Sequence, residues 1–166
     1  MEVGDRSTIA VEMNGVPRSQ DGFIILYVNG QGFGNVSFSY DVGVALMLLD
    51  EVMRDADYYA PELLALGVAE FVDLVNCMYE DSSDPRFTKF EPYFEKLDMH
   101  LIVRYGYYAF DRCLLGMVAG DAEERIFLVD EDDGRMESRI LPVGTVHKLV
   151  KQARAEWDAG VAPEVA

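Results

Sequence analysis

The spacing of apolar residues changes twice along the 166-residue chain, and this change constrains the fold more than any other feature. Near the start, Ile9, Val11 and Met13 recur at every second position, the period of a half-buried strand. From Asp41 onward the apolar residues recur at helical spacing. After His100 the period of two returns. The sequence therefore predicts strands, then helices, then strands, with a last helix at the C-terminus.

Short turns between the predicted elements favour antiparallel pairing. Phe23–Val28 reads as a buried strand followed by Asn29-Gly30, a dipeptide typical of a type I′ hairpin turn. The other predicted strands are 7–14, 31–40, 100–110, 113–118, 125–129 and 136–141, with two helices inside 41–84 and one from Thr145. We expect an α+β fold: an antiparallel β-sheet with two central acidic helices and a C-terminal helix packed on one face. We expect a single domain over residues 1–160 and a short tail over 161–166.

Negative charge is concentrated in the two central helices. The formal net charge of the chain is −16, and Asp41–Asp84 holds eleven carboxylates against one cation, Arg54, which gives −10. With one cation, these helices lack the usual stabilising pairs four residues apart. A folded acidic surface repels nucleic acid and attracts basic protein. The stretch predicts a basic protein partner; the alternative is an acidic helix face that is simply solvated.

Two acidic surfaces are candidates for the contact with that partner. One lies on the first central helix and the tyrosines that follow it, since tight interfaces need aromatic anchors. The other is a predicted loop before Gly134. The candidate residues are Asp50, Glu51, Asp55, Asp57, Tyr58, Tyr59, Asp130, Glu131, Asp132 and Asp133.

Signals for catalysis and cofactors are weak. The loop before Gly134 does not place carboxylates at the positions that an EF-hand requires, so no metal is predicted. The glycines after Asn29 lack the spacing of nucleotide-binding fingerprints, and no cofactor is predicted. Cys77 and Cys113 lie in apolar sequence, as buried structural cysteines do. A small enzyme that uses Asp111 and Glu124 as paired carboxylates is one alternative.

The cellular compartment is inferred from the same composition. The N-terminal residues lack a basic segment followed by an apolar run, so no signal peptide is predicted. No apolar run approaches the roughly 18 residues of a membrane helix. Two cysteines imply no disulfide framework. We expect a cytoplasmic protein that binds neither membrane nor nucleic acid.

Short motifs at both ends of the chain carry a family resemblance. They are Val3-Gly4-Asp5, Ile9-Ala10-Val11-Glu12, Phe23–Val28 with Asn29-Gly30, Ala109-Phe110-Asp111, Glu124-Arg125-Ile126-Phe127 and Leu141-Pro142-Val143-Gly144. In this order they resemble the forty-second immunity family of bacterial polymorphic-toxin systems. No motif in 61–100 contributes. The resemblance implies a non-enzymatic inhibitor that binds one cognate toxin domain in the producing cell. An acidic secretion chaperone that binds an effector segment is the second alternative, and the oligomeric state stays open.

Overall fold

The structure, a computed structural model, describes residues 1–17, 20–37, 39–55, 58–79, 84–93, 101–103, 110 and 112–160. The strands are β1 Glu2–Asp5, β2 Ile9–Asn14, β3 Phe23–Val28, β4 Gln31–Phe33, β5 Leu101–Val103, β6 Cys113–Ala119, β7 Glu123–Asp130 and β8 Met136–Pro142. The α-helices are α1 Val42–Asp55, α2 Val68–Tyr79 and α3 Thr145–Ala159, and 3-10 helices span Pro61–Ala65 and Thr88–Tyr93. The α+β class with antiparallel pairing is confirmed.

The first sheet has the order β1-β2-β3-β4 and is antiparallel throughout. The predicted hairpin turn is confirmed, because Asn29 and Gly30 have φ angles of 52° and 82°. β4 ends at Phe33, earlier than predicted. Gly34 follows with φ +152°, where a Cβ would meet the carbonyl oxygen of Ile24, so only glycine fits and the ladder stops there. The sequence analysis missed β1, which pairs with β2.

The second sheet has the order β5-β6-β7-β8 and is also antiparallel. The boundaries of β6, β7 and β8 lie within two residues of those predicted. For the predicted strand over 100–110, the structure describes Leu101–Val103 as β5 and Phe110 as a buried residue. Positions 100 and 104–109 lie outside the described residues, as does Asp111.

Two hydrophobic clusters occupy opposite faces of the second sheet. Alternate strand residues point to opposite faces, and accordingly Leu115 belongs to one cluster and Leu114 to the other. The first cluster fills the space between the two sheets and includes α1 and α3. The second includes α2 and both 3-10 helices, with the ring of Phe71 stacked on Phe127 at 4.0 Å between centroids. The structure thus adds a second sheet and distributes the helices over two layers.

The C-terminal helix confirms its predicted apolar stripe. Val146, Leu149, Val150, Ala153 and Trp157 are all buried. Among the residues that the structure describes, no helix combines the length and apolarity that crossing a bilayer demands.

Candidate functional site

Asp50 is a buried residue of α1 whose side chain contacts α3. It is 7% exposed. One carboxylate oxygen accepts a hydrogen bond from Arg154 Nη1 at 2.8 Å, and the other lies 3.1 Å from His147 Nε2. Burial alone would raise the pKa of Asp50, but the hydrogen bonds with His147 and Arg154 outweigh burial and lower it. Asp50 therefore holds two helices together and presents little surface to a partner.

The outer side of α1 combines acidic and apolar residues. Glu51 is exposed, as is Val44, while Met47 and Leu48 are half-buried. The side chain of Asp55 and all of Asp57 lie outside the described residues. Of the four carboxylates predicted to contact the partner at α1 and just after it, only Glu51 is therefore shown to be exposed.

Cations from elsewhere in the chain relieve part of the charge in the acidic stretch. Nη2 of Arg86 lies 2.7 Å from Oδ2 of Asp84 and 3.5 Å from Oδ2 of Asp73. Glu70 accepts a hydrogen bond from the backbone N–H of Gly67 at the start of α2. Two ion pairs, Arg86 with Asp73 and Arg154 with Asp50, join residues distant in sequence, and they offset part of the charge from which a basic partner was predicted.

The four carboxylates of the loop Asp130–Asp133 are partly neutralised by two arginines. Arg135 pairs with Asp130 at 2.8 Å and with Asp133 at 2.6 Å, and Arg112 pairs with Asp132. A cleft of about 290 Å³ adjoins this loop and is lined by Gly34, Asn35, Val36, Ser37, Arg112, Cys113, Asp130 and Asp132. Glu131 is exposed at the tip. Two guanidinium groups face three of its four carboxylates, so about half of the negative charge of this loop is balanced.

The two predicted tyrosines differ in environment. Tyr58 is half-buried, its hydroxyl donates to the carbonyl oxygen of Val52 at 3.1 Å, and burial raises its pKa. Tyr59 is 50% exposed, and its hydroxyl donates to Asp121 Oδ1 at 3.0 Å. That hydrogen bond raises the pKa of Tyr59 because it neighbours a negative charge. Tyr59 is therefore an accessible aromatic side chain held in place by a carboxylate.

Tyr59 belongs to a surface that the sequence analysis did not identify. Its backbone pairs with Ala119, which brings it to the turn between β6 and β7. The backbone N–H of Val143 donates to the carbonyl oxygen of Ala122 in the same turn. We call the exposed residues around this turn the hairpin-end patch. It consists of Tyr59, Asp121, Glu123 and Val143.

No sequence signal pointed to the hairpin-end patch as a unit. The turn at Gly120-Asp121 was recognisable, and Tyr59 was a candidate, but they are separated by about sixty positions. Only the pairing of Tyr59 with Ala119 joins them.

The residues considered for catalysis have structural roles where they are described. Glu124 is 1% exposed and accepts hydrogen bonds from the backbone N–H groups of Gly144 and Val146 at 2.6 and 2.7 Å. It therefore caps α3, for which Thr145 was the predicted cap. Burial raises the pKa of the Cys113 thiol to about 11, which disfavours a thiolate nucleophile. In the described part of the chain, no group of three His, Cys, Asp or Glu side chains is arranged for a metal ion.

Comparisons with known proteins are consistent with this α+β architecture. CdiI from Burkholderia dolosa AUO158 shares the fold, with a TM-score of 0.65 at 16% identity over 94% of this chain and 99% of that chain. Comparison with curated proteins finds no match. The model of the family described as immunity protein 42 matches residues 1–156. The chain belongs to this family of toxin-neutralising immunity proteins, and the match includes 61–100, for which no motif was recognised.

Proposed function

We propose that this protein neutralises one cognate toxin domain by binding it directly, as a stoichiometric and non-enzymatic inhibitor. Membership of the immunity protein 42 family is the observation that carries this proposal. The capping role of Glu124 and the burial of Cys113 in the first hydrophobic cluster support the non-enzymatic part. Inhibition then follows from occupancy of the toxin, and it should reach completion at equal amounts of the two proteins.

We infer further that the toxin domain is basic and that negative charge speeds the encounter. The net charge of −16 creates a long-range field that draws in a positively charged surface. Complementary charge raises association rates from about 10⁵–10⁶ M⁻¹s⁻¹ toward 10⁸ M⁻¹s⁻¹ at low salt. Glu51, Asp55 and Asp57 are candidate contributors. Asp50 is omitted, because its charge is balanced by Arg154 and its side chain is buried.

The first experiment uses the cognate toxin domain, which is sought first among the genes that neighbour the gene for this protein. The full chain and that domain are mixed at increasing ratios, and complex formation and toxin activity are measured together. We expect one complex in size-exclusion chromatography and loss of activity at a ratio near one. A complex that leaves the toxin fully active would contradict the inhibitor and would instead support the chaperone alternative.

The second experiment tests the electrostatic part by stopped-flow association between about 25 and 500 mM NaCl. We expect the association rate to fall by at least about tenfold over this range, since the Debye length shortens from roughly 20 Å to about 4 Å. The triple variant Glu51→Gln, Asp55→Asn, Asp57→Asn should associate more slowly and show a flatter salt dependence. The matched control neutralises Glu131, Asp132 and Asp133 instead, which changes the net charge by the same three units at a different place. Equal slowing by both variants would assign the attraction to the net charge and not to the residues at the end of α1. Salt-independent association of the wild type would refute a basic partner.

A further inference from the structure

The chain holds two asparagine–glycine dipeptides, Asn14-Gly15 and Asn29-Gly30. In such a dipeptide the backbone nitrogen of glycine can attack the side-chain carboxamide of asparagine, because glycine has no side chain to hinder the approach. A bond forms between that nitrogen and Cγ, the Cγ–Nδ2 bond breaks, and ammonia leaves. Water then opens the resulting succinimide ring to aspartate or isoaspartate. Both dipeptides carry the same reactive groups, so their surroundings in the fold decide which one reacts.

Both dipeptides lie on the surface, where water is present. Asn14 ends β2 and Gly15 follows it, whereas Asn29-Gly30 forms the turn between β3 and β4. All four residues are exposed. Burial therefore does not distinguish the two sites, and a difference in reactivity has to come from the hydrogen bonds that fix the reacting groups.

The carboxamide of Asn29 is fixed by β8, a strand of the other sheet. Its Nδ2 donates to Glu137 Oε2 at 3.0 Å and to the carbonyl oxygen of Ser138 at 3.3 Å. Its Oδ1 accepts a hydrogen bond from Arg139 Nη1. Rotation of the carboxamide toward the backbone nitrogen of the next residue would break these three hydrogen bonds.

The glycine of the same dipeptide is held as well. The backbone N–H of Gly30, which would supply the attacking nitrogen, donates to the carbonyl oxygen of Arg6 at 2.6 Å. We call this bond and the three hydrogen bonds of the Asn29 carboxamide the Asn29 clasp. Ring closure requires the carboxamide to turn and the Gly30 nitrogen to lose its proton, so the reaction proceeds only from a locally opened turn.

Asn14 lacks a comparable clasp. Neither its carboxamide nor the backbone N–H of Gly15 forms a hydrogen bond with another residue that the structure describes. No such bond therefore opposes rotation of the Asn14 carboxamide toward the nitrogen of Gly15.

We propose that Asn14 is a deamidation site of the folded protein and that the Asn29 clasp protects Asn29 from the same reaction. The consequences of the two modifications also differ. A carboxylate at position 14 replaces no hydrogen bond to a described residue. A carboxylate at position 29 would lose both donated bonds and would face the carboxylate of Glu137. The reaction needs only water and does not depend on the toxin.

The test follows both asparagines in the purified full-length protein in mildly alkaline buffer, with and without urea. Peptide mass spectrometry measures at each site the mass gain that accompanies replacement of the amide by a carboxylate. In the native protein we expect Asn14 to deamidate at least about tenfold faster than Asn29, because only the Asn29 turn has to open first. In urea the two rates should lie within about threefold of each other, because unfolding removes the clasp. Equal rates in the native protein, or a faster rate at Asn29, would overturn the proposal.

Two variants test the clasp itself. Arg139→Ala removes the donor to Asn29 Oδ1, and Glu137→Ala removes an acceptor of its Nδ2. Each should raise the native rate at Asn29 at least about threefold and leave the rate at Asn14 unchanged, because only one turn is loosened.

Arg86→Ala is the matched control, because it removes an arginine from a different surface ion pair, and it should change neither rate. The fluorescence of Trp157 shows whether each variant is folded. If Arg139→Ala does not fold, Glu137→Ala and the wild-type comparison decide the question. An unchanged rate at Asn29 in the folded clasp variants would show that the clasp does not protect it, and the proposal would be wrong.

Discussion

The carboxylate of Glu124, a residue of β7, should stabilise the fold by capping the N-terminus of α3. A helix begins with backbone N–H groups that have no partner inside the helix. Here two of them, from Gly144 and Val146, donate to the two oxygens of Glu124 at 2.6 and 2.7 Å. The residue is 1% exposed, so water cannot replace these bonds. The substitution Glu124→Gln removes the charge while almost preserving the shape.

The expected loss of stability follows from the hydrogen bonds. A hydrogen bond to a charged group contributes about 1.5–3 kcal/mol, and a neutral one about 1 kcal/mol. In Glu124→Gln, the amide oxygen keeps one neutral hydrogen bond, and the amide NH₂ faces the second backbone N–H. One charged bond is lost and the other is weakened, so we expect a decrease of about 2–4 kcal/mol in the free energy of unfolding. For a domain of this size, that decrease corresponds to roughly 4–16 °C in melting temperature.

The assay is urea unfolding followed by the fluorescence of Trp157. It is the single tryptophan, it is buried, and it lies on the helix that Glu124 caps. Glu123→Gln is the matched control, because it makes the same chemical change one position earlier at an exposed site. We expect that control to change stability by less than about 0.5 kcal/mol. Equal effects of the two substitutions would refute the capping role.

Three further predictions concern single residues. Asp50→Asn should lower the free energy of unfolding by about 1–3 kcal/mol at pH 7, because Arg154 loses its charged acceptor. The pKa of Asp50 is lowered in the folded protein. In urea titrations, the difference from the wild type should therefore persist above about pH 4 and disappear as the pH falls through the folded pKa. Phe71→Ala should cost about 3–5 kcal/mol in guanidinium unfolding, because the stack on Phe127 is fully buried. Native Cys113 should react with iodoacetamide at pH 8 at least about 100-fold more slowly than after denaturation, measured by peptide mass spectrometry, because burial raises the thiol pKa to about 11.

Local patterns in the sequence were sufficient to predict most of the strands and helices. The alternation of Ile9, Val11 and Met13 marks β2, and Asn29-Gly30 marks the first hairpin, because both depend on residues within a few positions. The apolar stripe of α3 is buried as its spacing predicts. β1 was missed because Glu2–Asp5 holds one apolar residue, and this strand is stabilised by its pairing with β2.

The sequence by itself determined the α+β class, the excess of negative charge and the family resemblance, all of which depend on composition and local spacing. Only the tertiary structure decided which of these charges remain exposed to a binding partner. Asp50 and Glu124 look like ordinary surface carboxylates in sequence, yet they are buried against Arg154 and Gly144. The free energy of a carboxylate depends on its desolvation and on the charges and donors that surround it. Residues distant along the chain supply those partners, so the folded arrangement alone separates structural carboxylates from those that remain for a partner.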